Sequence, residues 1–302
     1  MRALVHDPAA PRGLRLAEVP GPVPTASQAL VGIKAVSINF GEVAYLAERR
    51  EPGEVPGWDA AGVVLEPAAD GSGPPAGARV TTFGWRDGWA EHRAVDTANL
   101  AVVPDGVDLG AAAALPVAGV TALQAVRALG AVLGRRVLVT GAAGGVGRFA
   151  VQLAARAGAE VVALVGSSAR GAGLRELGAA EVVTELTGEP LTGVLDNVGG
   201  PLLAEAFAHL EAGGVALAVG KASGEATTID WEAERLRGGH RRLEPFVISV
   251  PLGDDLAYLA RLLGRGELDP QVDHRVPWER ATDAVDALLS RRIRGKAVLD
   301  LH

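Results

Sequence analysis

The sequence predicts an α/β protein of two domains, one rich in β-strands and the other built on a doubly wound parallel sheet. Its 302 residues favour two domains, because a domain averages roughly 150 residues. Short apolar runs separated by Pro, Gly and Asp fill residues 1–110, as is typical of β-strands. From Arg136 onwards apolar runs alternate with segments of helical periodicity, which indicates βαβ units around a parallel sheet.

The β-rich part has strand-like runs at residues 29–36, 62–66, 78–82 and 100–103. Small residues at 67–77 predict a turn region. Ala111 opens an alanine-rich helical segment, and a second helix is predicted over residues 121–129.

The second part of the chain has predicted strands at residues 137–140, 160–165, 181–184, 193–196 and 214–219. Helical spacing of apolar residues predicts helices over 146–157, 256–263 and 279–289, and residues 175–177 fit the end of a further helix. A last strand is predicted over residues 296–301.

Composition excludes several classes of function. The net charge of −7 with no basic block argues against nucleic-acid binding by bulk electrostatics. The absence of cysteine excludes disulfides, a thiolate nucleophile and a cysteine-ligated zinc site. The chain has no leader-like start and no run of about 18 apolar residues, so we expect a cytoplasmic protein without a membrane partner.

A glycine-rich loop, Thr140-Gly-Ala-Ala-Gly-Gly-Val-Gly147, lies between a predicted strand and a predicted helix. Such a loop turns sharply, lets the backbone approach a pyrophosphate, and opens a helix whose N-terminal amides bind the phosphates. In the G-x-G-x-x-G frame, Ala142 holds the first glycine position, and Gly144 and Gly147 hold the second and third. Glycines often serve only to make turns, but the strand–loop–helix–strand context predicts a dinucleotide site of the Rossmann type.

The end of the next strand distinguishes between the two nicotinamide dinucleotides. NAD sites usually place a carboxylate there for the ribose 2′-hydroxyl. This chain instead has Ser167, Ser168 and Arg170, which suit the 2′-phosphate of NADPH. The alternative is that Arg170 only begins a solvated helix, and Glu185 after the third strand is a counter-signal because it would repel a phosphate.

Six segments occur in the order typical of one superfamily, and together they are far more specific than any of them alone. They are Ser37-Ile-Asn-Phe40, Pro56-Gly-Trp-Asp-Ala-Ala-Gly-Val63, Ala112-Ala-Ala-Leu-Pro116 with Gly119-Val-Thr-Ala122, Gly141–Gly147 with Gln152-Leu-Ala154, Asp196-Asn-Val-Gly-Gly200 and Gly295-Lys-Ala-Val-Leu299. Over nearly its whole length the chain resembles the zinc-free quinone oxidoreductase branch (the zeta-crystallin-like proteins) of the medium-chain dehydrogenase/reductase superfamily.

The resemblance implies a GroES-like β-rich catalytic domain, residues 1–116 with 252–302, and a Rossmann domain, residues 117–251, with the active site in the cleft between them. It also implies a homodimer that extends the sheet, for which residues 243–250 are the matching strand.

The resemblance further implies a set of cofactor contacts. Thr121 matches a threonine on the nicotinamide side, and Arg291 aligns with an arginine that reaches the phosphate in some members; a solvated charge is the alternative for Arg291. The remaining matches are Gly144, Gly145 and Val146 for the pyrophosphate, Gly166, Ser167 and Arg170 for the adenosine phosphate, and Asn197, Val219 and Gly220 for the backbone lining of the groove.

Zinc-dependent relatives place a cysteine ligand near Asn39 and a His–Glu pair near Trp58-Asp59, and this chain has neither. The six histidines show no ligand spacing. We therefore expect no metal site. Asp59 stands where relatives usually have Glu, and a structural role is one interpretation of this residue.

The expected reaction is hydride transfer from NADPH to a quinone or an activated enone, small-molecule acceptors that need little polarisation. Asn39 is the candidate to hydrogen-bond the nicotinamide ribose or the substrate oxygen, with a turn-stabilising role as its alternative. Relatives carry tyrosines five and eleven residues later, where this chain has Ala44 and Arg50; Tyr45, one place late, is the candidate proton donor.

Two other functions fit the same sequence. One is an enoyl-thioester reductase like those of polyketide or fatty-acid assembly, and the other is an NADPH-binding sensor or structural protein with little turnover. Four large aromatic residues either line the cleft or belong to the core: Trp85, Trp89, Trp231 and Phe246.

Overall fold

The computed structural model describes residues 1–301. Its contacts divide the chain into two compact units, the first formed by Met1–Val120 together with the residues from Ser249 onwards, and the second by Thr121–Ile248. The exact domain boundaries given by the resemblance stay a prediction. Within the described residues, no helix is both long enough and apolar enough to cross a membrane.

Along residues 1–301 the strands are β1 Arg2–His6, β2 Leu14–Glu18, β3 Gln28–Ile38, β4 Asp59–Glu66, β5 Arg79–Phe83, β6 His92–Asp96, β7 Leu100–Val102, β8 Arg136–Thr140, β9 Glu160–Leu164, β10 Ala179–Val183, β11 Leu191–Asp196, β12 Leu210–Ala218, β13 Arg242–Pro245, β14 Val272–Pro277 and β15 Lys296–Asp300. The α-helices are α1 Phe40–Ala44, α2 Leu46–Arg49, α3 Leu109–Ala113, α4 Pro116–Ala128, α5 Gly145–Arg156, α6 Gly200–Ala208, α7 Trp231–Arg237, α8 Gly253–Gly264 and α9 Ala281–Leu289.

The first unit is organised around the long strand β3, which pairs with β15, β4 and β6, all antiparallel. The sheet runs in the order β14-β15-β3-β4-β5-β7, and β1 and β2 form a separate antiparallel pair. Its hydrophobic core contains the fully buried Trp89 and Trp278. Since β3 and β15 come from opposite ends of the chain, folding of this unit requires both termini.

The second unit contains six parallel strands in the order β10-β9-β8-β11-β12-β13. Counted from β8, this is the order 3-2-1-4-5-6 of the doubly wound dinucleotide-binding sheet. The strands are nearly continuous apolar runs; Val137, Leu138 and Val139 of β8 are fully buried, as expected of a parallel sheet covered on both faces. The predicted fold class is thereby confirmed.

The structure differs from the prediction at several elements. Residues 175–177 lie in turns rather than at a helix end, in a segment bounded by Gly173 and Gly178, both at positive φ. The strand expected over 243–250 ends at Pro245, and only Phe246 continues its hydrogen bonding, to the Ala218 carbonyl. The sequence prediction also missed β1, β2, β6 and β14. β2, β6 and β14 lack the apolar runs on which it relied, whereas β1 has a run of only three apolar residues.

Candidate active site

The glycine loop connects β8 to α5 at the centre of the parallel sheet. Gly141 makes the sharp turn at φ +57, and its carbonyl accepts a hydrogen bond from the Gly144 amide at 2.9 Å. The turn therefore belongs to Gly141, one residue before the frame position that Ala142 holds. This explains why alanine is accepted at that position: Ala142 lies beyond the left-handed turn and is fully buried.

Gly147, on the first turn of α5, is required for close packing. A Cβ atom there would lie 2.5 Å from the Gly141 carbonyl oxygen and 2.6 Å from the Ala142 Cα. Both are backbone atoms, which cannot rotate away. The helix therefore begins as close to the preceding strand as two backbones allow, in agreement with the role expected of the third glycine.

The N-terminus of α5 presents backbone amides that nothing in the helix uses. Gly144 is the N-cap residue and supplies no side chain to cap them. The amides of Gly145, Val146 and Gly147 belong to the first turn, where intrahelical acceptors are absent. Three aligned N–H groups and the positive end of the helix dipole form an arrangement that binds phosphate.

The end of β11 is tied to the end of β8 by a buried carboxylate. Asp196 accepts the Thr140 hydroxyl at 2.6 Å and the Gly199 amide at 2.7 Å, and the Thr140 hydroxyl in turn accepts the Asn197 amide at 3.0 Å. Burial raises the pKa of Asp196, and these hydrogen bonds oppose that shift. These bonds fix the loop after β11 beside the glycine loop, at the point where strand order reverses and dinucleotides bind.

Three predicted groove residues meet at this switch point. The amides of Val219 and Gly220 both donate to the Asp196 carbonyl, at 2.8 and 3.0 Å. A Cβ on Gly220 would lie 2.7 Å from the Asn197 carbonyl oxygen, so the two loops touch through their backbones. The structure therefore brings Asn197, Val219 and Gly220 together after β11 and β12.

The predicted phosphate residues follow β9, where one of them borders a cavity of about 630 Å³. Ser168 lines it, and so do Arg175 and Glu176, which the sequence prediction missed because turns rather than a helix place them there. Glu185, the predicted counter-signal, lines it as well. The full lining is Val165, Ser168, Gly171, Ala172, Gly173, Arg175, Glu176, Val182, Val183, Thr184, Glu185 and Thr187.

The other predicted cofactor residues are dispersed. Around Gly166 no atom lies within 4 Å of a Cβ position, so that backbone is open to a ligand. Ser167 precedes the 3-10 turn Ser168–Gly171, which contains Arg170. Thr121 is largely buried on α4. Arg291 follows α9 in the first unit, with its backbone at φ +56.

The first unit contains four buried polar side chains in mutual contact, here called the polar cluster: Asn39, Glu42, Asp59 and Lys296. Asn39 is the N-cap of α1, and its backbone amide donates to the Glu42 carboxylate at 2.8 Å. Glu42 stands three residues later, where a capping glutamate is favoured. The spacing was visible in the sequence as Asn-x-x-Glu, but the prediction did not use it.

Asp59 and Lys296 complete the polar cluster from β4 and β15. Asp59 accepts the Asn39 side-chain amide at 2.8 Å and the backbone amide of Val117, at the start of α4, at 3.0 Å. The Lys296 ammonium donates to the Asn39 side-chain oxygen at 2.6 Å and contacts Asp59 at 3.5 Å. These contacts agree with a structural role for Asp59.

Both carboxylates of the polar cluster have a raised pKa because they are buried. Burial and the neighbouring Asp59 raise the pKa of Glu42 to about 8, against the pull of its three N–H donors. Burial also raises the pKa of Asp59, and the Lys296 ammonium opposes that shift. Lys296 is the cation in direct contact with this cluster, and the buried Arg93 guanidinium nearby interacts electrostatically with both carboxylates.

The hydrogen bonds of Asn39 restrict its chemistry. One hydrogen of its side-chain amide goes to Glu42 and the other to Asp59, and the oxygen accepts Lys296. Only a second lone pair on that oxygen remains, so Asn39 can accept a hydrogen bond from a ribose hydroxyl but has no hydrogen left to donate to a substrate oxygen. The catalytic role of Asn39 stays a prediction. These contacts restrict that role to accepting a hydrogen bond.

Tyr45, the predicted proton donor, is the C-cap residue of α1 and is half-buried. The Arg49 guanidinium lies over its ring, 5.2 Å from the centroid, as in a cation–π contact. Among the aromatic candidates for the cleft, Trp89 is fully buried and belongs to the core, whereas Trp85 and Trp231 are 48% and 62% exposed. Within residues 1–301, no group of three or more metal-ligating side chains occurs.

Comparison with known families gives a partial match at the C-terminal side. A family profile described as "Zinc-binding dehydrogenase" matches residues 177–299. The profile's name describes the family and does not assign zinc to this chain, whose sequence has no cysteine.

Curated relatives include both large synthases and single enzymes. Erythronolide synthase EryA2 of Saccharopolyspora erythraea is 35% identical over 90% of this chain, and the match spans 8% of that protein. Acrylyl-CoA reductase AcuI of Ruegeria pomeroyi is 37% identical over 56% of this chain and 57% of its own length. Quinone oxidoreductase-like protein 2 of Bos taurus is 30% identical over 90% of this chain and 84% of its own length.

Solved structures match over the whole chain. The quinone oxidoreductase from Coxiella burnetii has a TM-score of 0.86 at 25% identity, covering 100% of this chain and 99% of that one. The Escherichia coli quinone oxidoreductase complexed with NADPH has a TM-score of 0.88 at 22% identity, with complete coverage of both chains, and at that identity shows the shared fold alone. The chain therefore belongs to the quinone oxidoreductase branch of the medium-chain dehydrogenase/reductase superfamily and is an oxidoreductase.

Proposed function

We propose that this protein is an NADPH-dependent oxidoreductase that reduces a quinone or an activated enone without a metal. The observation that carries the proposal is the glycine loop at the switch point of the parallel sheet. There the first-turn amides of α5 and the backbones after β11 and β12 converge. When bound, the nicotinamide supplies a hydride, and the protein supplies binding and orientation.

The residues present fit a dinucleotide. A Cβ on Gly144 would find only the Gly141 carbonyl oxygen, at 3.3 Å, so the loop surface above it is open to a pyrophosphate. The amides of Gly145 and Val146 would hold the phosphates. Asn197, Val219 and Gly220 would line the nicotinamide side through their backbones, and Thr121 and Arg291 remain candidates for the contacts that the resemblance implies.

NADPH is favoured over NADH by the residues after β9. Gly166, Ser167 and Ser168 offer an open backbone and two hydroxyls, and Arg170 adds a guanidinium that can bind phosphate oxygens in pairs. Arg175 brings a second guanidinium to this region, where it lines the cavity together with Ser168. Glu176 and Glu185 oppose a phosphate there, so the preference depends on the two arginines prevailing over the two carboxylates.

A quinone or enone acceptor suits the chemistry of the first unit. Asn39 has no hydrogen left for an acceptor oxygen. The sequence has no cysteine, and residues 1–301 lack a cluster of potential metal ligands. Acceptors that delocalise the incoming charge themselves therefore fit better than simple ketones or alcohols, which need a Lewis acid. Tyr45 remains the proposed proton donor.

An enoyl-thioester reductase is the second candidate function. It is favoured by the similarity to erythronolide synthase EryA2 and acrylyl-CoA reductase AcuI, at 35% and 37% identity. Both candidates deliver a hydride to a conjugated carbonyl system, so they differ in the group attached to the acceptor rather than in the chemical step.

A homodimer that extends the parallel sheet is also proposed. Strand β13 ends the sheet, and its outer side has no partner strand among residues 1–301. Val247 and Val250 beyond it are 76% and 53% exposed, which suits a subunit contact. The predicted cytoplasmic location and the absence of a nucleic-acid partner stay predictions.

The test of the proposal is NADPH oxidation by the purified full chain across quinones, open-chain enones and enoyl thioesters. We expect turnover with quinones or enones to exceed turnover with thioesters. A clear preference for an acyl-carrier or coenzyme A thioester would establish the second candidate. The absence of turnover with every acceptor would favour the third function, an NADPH-binding sensor or structural protein.

The cofactor preference is tested by Arg170→Ala. Because a hydrogen bond to a charged group contributes about 1.5–3 kcal/mol, the variant is expected to weaken NADPH binding by roughly 10- to 100-fold and to leave NADH binding nearly unchanged. Titration of each cofactor by fluorescence measures both constants. Arg135→Ala, at an exposed arginine of the same unit, is the matched control, and an unchanged NADPH/NADH ratio in Arg170→Ala would remove this residue from the phosphate site.

A further inference from the structure

An arginine lies buried near the start of α5, among apolar side chains. Arg148 directly follows Gly147 and is 4% exposed, and Phe149 and Val151 are buried beside it in the same helix. A guanidinium is rarely buried unless it is hydrogen-bonded, because removing its charge from water costs free energy. The contacts of Arg148 therefore indicate what this cation does in the second unit.

The Arg148 guanidinium reaches the segment that follows β9. Its Nη2 atom donates to the Ala172 carbonyl at 2.8 Å. A Cβ built on Gly173 would lie 3.5 Å from its Nη1 atom, so the guanidinium lies against the backbone of both residues. We call residues 167–173 the phosphate segment, because three candidate contacts for the 2′-phosphate lie in it: Ser167, Ser168 and Arg170.

The backbone of the phosphate segment is folded as a short 3-10 turn, Ser168–Gly171, rather than as a helix. The Arg170 amide donates to the Ser167 carbonyl at 3.0 Å, and the Leu174 amide just beyond the segment donates to the Gly171 carbonyl at 3.2 Å. Turns of this length gain little from cooperativity. The conformation of the segment therefore depends on anchors from the neighbouring structure.

Three anchors hold the phosphate segment, and Arg148 is the polar one. A Cβ on Gly171 would lie 2.6 Å from the Val182 Cγ1 atom of β10, so the segment passes close against that strand. The Leu174 side chain is fully buried. Arg148 adds its hydrogen bond from α5, the helix whose first amides are the candidate pyrophosphate contacts. One helix thus holds both candidate phosphate sites in a fixed relation.

We propose that Arg148 is a positioning residue for the 2′-phosphate of the cofactor. Its hydrogen bond to Ala172 holds the phosphate segment in the conformation that turns the candidate contacts towards that phosphate. The proposal rests on the NADPH preference of the proposed function and adds to it a residue that acts through the backbone. The preference then depends on a buried side chain of α5 as well as on the side chains of the segment.

The test uses two ligands that carry no nicotinamide and differ only in the 2′-phosphate, ADP-ribose and 2′-phospho-ADP-ribose. Isothermal titration calorimetry measures the dissociation constant of each for the full chain as wild type, Arg148→Met and Arg148→Lys. Lysine keeps the charge and a donor, whereas methionine keeps only an apolar chain. Arg156→Met is the matched control, because Arg156 is the last residue of the same helix and is exposed.

We expect Arg148→Met to weaken binding of 2′-phospho-ADP-ribose by roughly 3- to 30-fold, because a hydrogen bond from a charged donor is lost and part of its free energy is transmitted to the ligand. Binding of ADP-ribose should stay close to that of the wild type. Arg148→Lys should recover most of the loss, and Arg156→Met should behave as the wild type. Equal weakening of both ligands would mean that Arg148 acts only as a structural residue or a general cation, and would overturn the proposal.

A glycine substitution tests the same junction from the side of the segment, without removing a buried charge. Gly173 is exposed at φ +80, so Gly173→Ala strains the backbone beside the Arg148 guanidinium. Gly130→Ala is its control, because Gly130 is exposed, has the same φ of +80, and has no atom within 4 Å of the new Cβ. We expect a selective loss of 2′-phospho-ADP-ribose binding in Gly173→Ala alone; the same affinities in the two glycine variants would contradict the proposal.

Amide hydrogen exchange without ligand reports on the segment itself. Peptides that cover residues 167–174 should exchange faster in Arg148→Met than in the wild type, with Arg148→Lys close to the wild type. Unchanged exchange in Arg148→Met would show that the arginine does not hold the segment, and the proposal would fail.

The binding results distinguish this proposal from the proposed function. A wild-type protein that binds the two ligands equally would refute the NADPH preference and the role of Arg148 together. A wild-type protein that prefers 2′-phospho-ADP-ribose, with the same preference in Arg148→Met, would refute the role of Arg148 alone. Turnover with an electron acceptor enters neither measurement.

Discussion

The two units treat their interior polar groups in opposite ways. In the first unit, the side chains of the polar cluster form hydrogen bonds with each other and with nearby backbone groups. In the second unit, the glycine loop leaves the first-turn amides of α5 without an intrahelical or capping partner. The polar cluster therefore keeps its side-chain donors for internal hydrogen bonds, whereas the glycine loop has donors available for a ligand.

This difference teaches where stability and binding reside. A buried network in which every member is satisfied gives a unique local structure, but loses much when one member is removed. A loop with unused donors contributes little to stability until a ligand arrives, and its glycines are required for space rather than for contacts. Substitutions in the polar cluster should therefore act first on folding, and those in the loop on folding and cofactor binding together.

The largest effect is expected from Lys296→Met. Removing the ammonium leaves the buried Asp59 without the cation that contacts it, and breaking a buried pair in this way costs about 3–5 kcal/mol. Chemical denaturation followed by circular dichroism measures the loss. Lys34→Met, at an exposed lysine on β3, is the control, and a loss no larger than that of the control would mean that the polar cluster does not depend on its charge balance.

A smaller loss is expected from Gly147→Ala. The new methyl group would meet the backbone of Gly141 and Ala142 at about 2.5 Å, and overpacking of this kind costs about 1–3 kcal/mol. Denaturation without cofactor measures the stability, and NADPH titration should show weaker binding because α5 must shift. Gly166→Ala, where no atom lies within 4 Å of the new Cβ, should leave the stability unchanged; equal losses in the two variants would refute the packing role of Gly147.

The parallel sheet of the second unit could be predicted well because its strands are buried on both faces and are continuous apolar runs, such as residues 137–140 and 193–196. Strands of the first unit were harder to predict. β14, Val272–Pro277, alternates exposed and half-buried residues and contains His and Arg, so no apolar run marks it. The motif alone could not predict that Gly141, and not Ala142, makes the sharp turn, because this depends on backbone angles.

The site was predictable where a motif carries its own geometry and unpredictable where distant segments meet. The glycine loop follows from local sequence, whereas Lys296 reaches Asn39 across 257 positions of the chain through the pairing of β15 with β3. For the same reason the sequence left Asn39 as a candidate to hydrogen-bond either the ribose or the substrate oxygen, and only the fold shows that both of its amide hydrogens are bound.

The smallest expected effect, counted for each pH unit, is the pH dependence of stability that Glu42→Gln removes. It is also the sharpest test of the polar cluster. Burial and Asp59 raise the pKa of Glu42 from 4.5 to about 8, so between these values the folded protein binds more protons than the unfolded chain. The wild type should therefore lose stability as pH rises through this window, by at most about 1.4 kcal/mol per pH unit, relative to Glu42→Gln. Asp59 and Arg93 are present in both proteins, so the difference isolates Glu42. Unfolding at several pH values, with the exposed Glu48→Gln as control, measures it; a difference that is flat or rises with pH would mean that the three N–H donors outweigh burial and keep Glu42 ionised.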